Sequence, residues 1–242
     1  MEPEMTHAME FGTEWRFFQH RLGINLTYYR TNTYNQFFKL PALAGDKYAF
    51  RYVNAGNIQN QGWEVTLNGT PILTSDFTWK TSINFSTNKN KIVKLHDELK
   101  ELVYGPTSFS SSYAMKLVKG GSIGDIYGYK LKRAPDGQVV WKDGITARTT
   151  EFEYVGNAYP AWKAGFSNEF SYKNFRVSIL FDGQWGGIVY SQTHHKMTEH
   201  GTLKHTLKYR GNPNFEVVGE GVMLDERGQY VPNNVPISVS KY

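Results

Sequence analysis

Apolar and polar residues alternate almost without a break from Phe77 to Asn88. Phe77, Trp79, Ile83 and Phe85 share one parity, and Thr78, Lys80, Ser82, Asn84 and Ser86 the other. Successive side chains of a strand point to opposite faces, so this stretch predicts a strand with one apolar and one wet side. The same period recurs in five further segments. The first runs from about Met9 to Phe18, with Met9, Phe11, Trp15 and Phe17 opposed to Glu10, Glu14 and Arg16. In the second, Leu22, Ile24, Leu26 and Tyr28 alternate with Gly23, Asn25 and Thr27. The third spans Gly62 to Thr70, with Trp63, Val65 and Leu67 against Glu64, Thr66 and Asn68. The Phe77 strand is fourth; a fifth is expected over Trp162 to Tyr172 and a sixth over Phe175 to Trp185.

The connections fall into two classes. Gln19-His20-Arg21, the Pro71 to Asp76 cluster and Lys173-Asn174 are short turns, the last a good hairpin signal. The segments from Asn35 to Gln61, from Lys89 to Ala161 and after Gly186 are long, the third a polar tail. Short turns at one edge and long loops at the other characterise a transmembrane β-barrel, with periplasmic turns and extracellular loops. A soluble sandwich has no reason to segregate loop lengths in this way. Phe17, Phe18, Phe77, Trp79, Tyr172 and Phe175 all flank the short turns, as a membrane-interface girdle requires. The plainer explanation is that aromatic residues favour strands anywhere.

Composition leaves both architectures open. Only 40% of the 242 residues are hydrophobic, yet 15% are aromatic, with 16 Tyr, 15 Phe and 6 Trp. A barrel wall has this balance because only every second strand residue meets lipid, and a Tyr-rich soluble β domain shares it. The absence of cysteine excludes a disulfide framework and a thiolate metal site. The net charge of +5 is spread out; the densest basic stretch, Lys204 to Arg210, reads as a solvated loop, so no nucleic-acid partner is expected. No run of 18 apolar residues is present to form a spanning helix. The first thirty residues lack the pattern of a signal peptide, so Met1 begins either a cytosolic protein or a piece of a longer one.

Candidate chemistry is sparse. His194, His195, His200 and His205 lie close together, but with Glu199 alone nearby and no H-E-x-x-H spacing they read as a mobile polar loop. Gly120-Gly121-Ser122-Ile123-Gly124 lacks the Gly-Lys-Ser/Thr that completes a phosphate-binding loop. Glu10, Glu14, Glu64 and Glu169 could pass for paired catalytic carboxylates, although a wet barrel lumen accounts for charges on that face. Ser108, Ser110, Ser111 and Ser112 form a polar cluster without a nucleophile elbow. No catalytic, cofactor-binding or metal-binding residue is expected, and no cofactor. Phe37, Phe38, Tyr48, Phe50, Tyr104, Phe109 and Tyr113 are the candidates for ligand or partner contact; packing of the loops on one another explains them equally well.

Several segments carry a family resemblance. Asn54-Ala55-Gly56-Asn57-Ile58-Gln59-Asn60-Gln61-Gly62-Trp63-Glu64 resembles the NAG-x-I-x-N-x-G-x-E signature of SusC/RagA-family TonB-dependent outer-membrane transporters. Pro3-Glu4 with Glu10-Phe11-Gly12, Asn84-Phe85-Ser86, Asn90 to Leu95, Gly120 to Gly124 and Tyr127-Gly128-Tyr129 are similar to the same family in the same order. Gly156-Asn157-Ala158-Tyr159-Pro160, Tyr172 to Phe175 and Asp182 to Gly187 continue the series. Trp63 departs from the family's smaller aliphatic residue, which a lipid-facing position tolerates.

The resemblance implies an all-β fold, an antiparallel meander of about six or more strands forming part of a transmembrane barrel. Residues 1–242 are then a partial TonB-dependent receptor β-barrel domain, without signal peptide, plug domain or C-terminal strands. Barrels of this family have about 22 strands and a plugged lumen, which six strands cannot enclose, so a fragment is expected. The parent would sit in the cell outer membrane and import glycans or oligopeptides. It would contact outer-membrane lipid and act with a SusD-like surface lipoprotein and the TonB complex. The alternative is a soluble β-sandwich that binds carbohydrate through its loops; an enzyme is the remotest option. Trp79, Phe85, Phe166 and Phe170 separate the first two, since they stay exposed on a barrel wall and are covered in a sandwich.

Overall fold

The computed structural model describes residues 2–41, 47–48, 50–54, 56–95, 101–104, 113–204, 207 and 215–238. Strands β1 (Met5–Phe17), β2 (Leu22–Tyr34), β3 (Phe37–Pro41), β4 (Phe50–Asn54) and β5 (Asn57–Leu73) come first. β6 (Phe77–Thr87), β7 (Lys89–Lys94), β8 (Glu101–Tyr104), β9 (Tyr113–Val118) and β10 (Asp125–Gly128) follow. Next are β11 (Val140–Lys142), β12 (Ile145–Thr146), β13 (Glu153–Asn157), β14 (Pro160–Tyr172), β15 (Phe175–Gly186) and the helix α1 (Gln192–Glu199). The chain closes with β16 (Glu216–Val218), β17 (Val222–Leu224), β18 (Tyr230–Pro232) and β19 (Pro236–Ser238). Two compact units result. One comprises Met1–Tyr104, Met115–Asp125 and Gly156–Ile188; the other comprises Gly105–Ala114, Ile126–Val155 and Val189–Tyr242.

The first unit holds the six expected strands in one antiparallel meander, ordered β1-β2-β5-β6-β14-β15. Register puts the apolar parity of every strand on one face. Trp15 pairs with Ile24, Ile24 with Leu67, Leu67 with Ile83, Ile83 with Phe166 and Phe166 with Phe181. The opposite face carries Glu14, Asn25, Thr66, Asn84, Gly165 and Asp182 in the adjoining row. Each short turn is tight. Phe18, Gln19 and His20 all take positive φ, and Lys173 does so between β14 and β15. Gly186 and Gly187 end β15 at φ 80° and 81°, a conformation that a side chain would strain.

The core lies at the loop end, away from the apolar face. Ile92, Leu95, Leu102 and Leu117 bury together, with Phe38, Val53 and Ile123 against them. These come from β7 and the residue that follows it, from the β3–β4 and β8–β9 hairpins and from the turn after β9. Neither buried cluster includes Trp79, Phe85, Phe166 or Phe170, and Phe166 remains 40% exposed. The sandwich alternative requires a second sheet over these rings, and none covers them among the described residues of this unit.

Three expectations about the connections change. Among the described residues, the segment 35–61 contains the β3–β4 hairpin, 89–161 contains seven short strands, and the tail after Gly186 contains α1 and four more strands. The strands among them are too short, at two to six residues, for period-two alternation to stand out. The large strands also run further than their apolar alternation. β1 starts at Met5, β2 reaches Tyr34 and β5 begins at Asn57, because beyond the apolar band the residues are mostly polar and the alternation lapses.

The second unit is built from small pieces. β11 pairs β12 antiparallel and β17 parallel, β17 pairs β18, and β16 pairs β19. Ala134, Val140 and Val222 bury with Ala147 against them. The Trp141 indole N–H donates to the Glu220 carbonyl at 3.0 Å, fixing its ring beside Gly219.

Candidate membrane wall and its polar anchor

Along β14 and β15 the apolar face is bounded by aromatic residues at both ends. At the turn end, Phe77, Tyr172 and Phe175 lie in one row across three strands. Trp79 stacks on Phe170 at 5.7 Å, and Phe17 and Phe18 continue the ring on β1 and its turn. At the loop end, Trp162 stacks on Trp185 at 6.4 Å and tilts against Phe85 at 6.0 Å, while Tyr28 meets Trp63 at 4.9 Å. The turn-end ring was legible from the sequence; the loop-end ring was not. Its signal was the spacing from the turn, since Trp162 and Trp185 each stand ten residues from Tyr172 and Phe175. Ten residues at ~3.3 Å, tilted by about 40°, give a band of roughly 25 Å, the height of the hydrocarbon-facing zone of an outer-membrane barrel.

Between the rings the face is almost wholly apolar: Ile24, Leu26, Val65, Leu67, Ile83, Phe166, Val177, Ile179 and Phe181. Asn168 interrupts it, but it is 6% exposed and its Oδ1 accepts from the Trp79 indole N–H at 3.0 Å. Thr81 donates to the Ser167 carbonyl at 3.3 Å. Both of these polar side chains are internally bonded, as a medium without water demands.

Glu10, Glu14, Glu64 and Glu169 all fall on the other face. Glu14 pairs with Arg16 at 2.7 Å, and Glu169 lies opposite Lys80 in register and 3.7 Å from Arg176. Mixed charges in a wet environment fit this pattern, each exposed pair contributing little. Among the histidines, His194 and His195 sit on α1 and His200 caps its C-terminus, so a short helix replaces the expected loop; His205 lies outside the described residues. Ser191 caps the helix through a bond from the His194 N–H at 3.1 Å. Lys196 donates to Glu199 at 2.6 Å and holds its carboxyl below the usual range. No group of three or more metal-ligating side chains forms among the described residues. Of the loop aromatics, Phe38 packs on the buried cluster, Tyr113 packs on Tyr190 at 4.3 Å, and Phe37 and Tyr48 are exposed. The Ser108, Ser110, Ser111 and Ser112 cluster, Phe109, and the side chains of Phe50 and Tyr104 lie outside the description.

Sequence reasoning also missed what the motif residues do together. They form one hydrogen-bonded chain at the loop end of the sheet. The Tyr29 hydroxyl lies 3.2 Å from both the Thr87 carbonyl and Asn88 Oδ1. Asn60 Oδ1 accepts from the Asn88 and Asn90 amides at 3.3 and 2.9 Å. Asn90 Oδ1 in turn accepts from the Ser122 hydroxyl at 3.0 Å and the Ile123 N–H at 2.9 Å. Asp125 accepts from the Ser122 N–H at 2.7 Å and from Asn157 Nδ2 at 2.8 Å, and the Asn157 carbonyl accepts from the Ile188 N–H at 2.9 Å. The glycine-rich segment 120–124 is therefore an anchor point, its backbone bonded to Ile92 on both sides of Gly120-Gly121. Asn90→Ala would strand two donors of the turn, each costing about 1–3 kcal/mol if left buried and unpaired. Amide hydrogen exchange at Ile123 and Gly124 is expected to accelerate in that variant, and unchanged exchange would show that the chain of bonds carries no stability.

A charged face, an opposite apolar face and two aromatic girdles define the wall of a transmembrane β-barrel. Residues 1–194 match the family model described as TonB dependent receptor-like, beta-barrel, and the chain belongs to that family, whose members are outer-membrane proteins. Within it the chain is SusC/RagA-like. It is 29% identical over 211 residues to the TonB-dependent receptor P3 of Formosa agariphila, covering 78% of this chain and 21% of that one. It is 33% identical over 95 residues to the TonB-dependent receptor SusC of Bacteroides thetaiotaomicron, covering 38% of this chain and 9% of SusC. The RagAB peptide transporter structure shares the fold, with a TM-score of 0.63 at 22% identity, over 84% of this chain and 23% of that chain. The chain thus spans about a fifth of the length of the curated relatives it matches.

Proposed function

We propose that this chain supplies wall and loop-end structure to an outer-membrane importer of glycans or oligopeptides. The importer works with a SusD-like surface lipoprotein and draws energy from the TonB complex through parts of the protein outside this chain. The observation that carries the reading is the asymmetry of the sheet. One rim has only turns, whereas the other bears folded connections with their own buried cluster, tied to the strands by the Asn60–Asn90–Asp125 chain of hydrogen bonds. A passive wall needs no core at its rim; a rim that receives a bulky substrate and a partner does. The name of the RagAB peptide transporter supports the peptide half of the substrate class, and the likeness to SusC supports the partner.

The gene for the full-length protein should be deleted and the strain grown on single polysaccharides and on oligopeptides as sole nutrient. Growth on one bulky class is expected to fail, growth on its monomers to persist, and the full-length gene to restore both. Undiminished growth on every bulky substrate, together with a detergent-free soluble protein, would refute the importer.

A further inference from the structure

We propose that the second unit carries a binding site for an anionic saccharide, its carboxylate or sulfate groups met by Lys130, Lys132 and Arg133 and one sugar ring lying against Tyr230. This rests on the importer reading and narrows its glycan half to charged chains. The site is a cleft of about 650 Å³, within the size range of clefts that hold small ligands. It arises from a core left open at one end. Lys130, Lys132 and Ala134 share one parity of an extended segment, whose Leu131 bridges Arg148 and whose Arg133 bridges Val139. Ala134 buries with Val140 and Val222, and Val140, whose N–H donates to the Lys132 carbonyl, lines the cleft. Two residues beyond Val222, Leu224 faces Tyr230 in register. β11 lies between the lysine segment and β17, which puts the lysines on one side of Val140 and Leu224 and Tyr230 on the other. Leu224 and Tyr230 are 50% and 47% exposed, so an aromatic ring stands open opposite the cations.

The charge of the lining decides the sign of the ligand. Three cations line the cleft against one carboxylate, Glu153. Its 3.8 Å pair with Lys130 is half exposed on both sides, so it holds the ammonium weakly. Arg133 is fixed in place by donating from Nη1 to the Gly137 carbonyl at 2.7 Å. Lys130 and Lys132 stand ~6.6 Å apart along the segment, room for two anionic groups of one chain.

A saccharide fits better than an acidic peptide because the cleft offers almost no free backbone. The Lys132 N–H donates to the Ala147 carbonyl at 2.8 Å, and its carbonyl accepts from Val140 at 2.9 Å. The Lys130 N–H donates to Thr149 Oγ1 at 3.1 Å, and its carbonyl accepts from the Thr149 N–H at 2.9 Å. On the far side β18 ends in Pro232, which has no N–H. A peptide strand therefore finds hardly any ladder to extend. A sugar needs none, since the apolar face of its ring packs on an aromatic ring while its anions meet exposed ammonium groups.

The test uses the full-length protein in mild detergent and two matched pairs of chains, polygalacturonate with its methyl ester and dextran sulfate with dextran. Poly-L-glutamate is the peptide probe. Calorimetric titration should show the charged member of at least one pair bound about 10-fold more tightly than its neutral counterpart, as two or three exposed ion pairs give. The pair that shows it distinguishes carboxylate from sulfate, and poly-L-glutamate should bind no better than the neutral chains. Lys130→Gln combined with Lys132→Gln should abolish the preference, whereas Lys130→Arg combined with Lys132→Arg should keep it, which separates charge from folding. Tyr230→Ala should weaken charged and neutral chains alike by about 5-fold. Equal binding within both pairs, a preference that survives the glutamine pair or is lost in the arginine pair, or poly-L-glutamate bound as tightly as the anionic saccharides would each overturn the site and leave the importer standing. Selective binding by a protein that is soluble without detergent would keep the site and refute the importer.

Discussion

Phe166→Arg is expected to destabilise the barrel in a bilayer by about 2–4 kcal/mol, while Ser167→Arg, one residue away, changes it by roughly 0.5 kcal/mol or less. Phe166 lies midway between the two aromatic rings of β14, flanked in register by Ile83 and Phe181. A guanidinium there meets hydrocarbon on every side, too far from either girdle to reach water without distorting the strand. Ser167 points to the other face, among Ser82 and Leu180 in register, where Lys80 and Glu169 already reside. The pair of variants therefore measures which face is lipid, with strand propensity and position held nearly constant. Urea titration of the full-length protein folded into vesicles reads both values. Equal costs would mean that neither face meets lipid, and a larger cost at Ser167 would reverse the two faces.

That contrast was legible in the sequence because it depends only on parity. The six large strands need no tertiary information: alternating Phe77, Trp79, Ile83 and Phe85 with Lys80, Ser82 and Asn84 already separates their faces. The meander order also follows, since Gln19-His20-Arg21 and Lys173-Asn174 leave neighbouring strands nowhere else to pair. The loop-end structure did not follow. Its short strands give no periodic signal, and the residues that organise it are Asn, Ser and Asp, which the sequence offers equally to turns and solvent. Asn60, Asn90, Ser122 and Asn157 lie far apart along the chain, and only the fold brings their amides within about 3 Å of one another's donors and acceptors. The motif positions were recognisable as a family pattern before their physical reason was visible. Their reason is structural, because each satisfies a polar group where strands leave the membrane band and the rim begins.

The largest single-residue effect at that rim is expected from Gly62→Ala, a loss of about 3 kcal/mol or failure of the rim to assemble. Gly62 marks the point where β5 changes partner. Below it Glu64 pairs with Ser86 of β6, and above it Gln61 pairs with Lys89 of β7. The chain crosses between these partners at Thr87 and Asn88, passing so close that a Cβ on Gly62 would collide with the Thr87 carbonyl. The same Cβ would stand 2.8 Å from the Tyr29 hydroxyl, which is bound to that carbonyl. The obstructing atom is backbone on a paired strand, so no rotamer change relieves the clash. The strand must shift, and Trp63 N–H, which donates to Thr87 Oγ1 at 3.0 Å, shifts with it. Displacement at this point should propagate one way. Above it lie Asn88, Asn60 and Asn90, so the turn at Ser122 to Asp125 loses its anchor. Below it the β5–β6 ladder from Glu64 to Asn68 keeps its register, since the hydrophobic parity fixes it independently. Hydrogen exchange on the full-length protein should therefore show protection lost at Ile92, Gly121 and Ile123 and retained at Val65 and Leu67. Uniform loss along β5 would mean that the rim and the wall fold as one cooperative element rather than two.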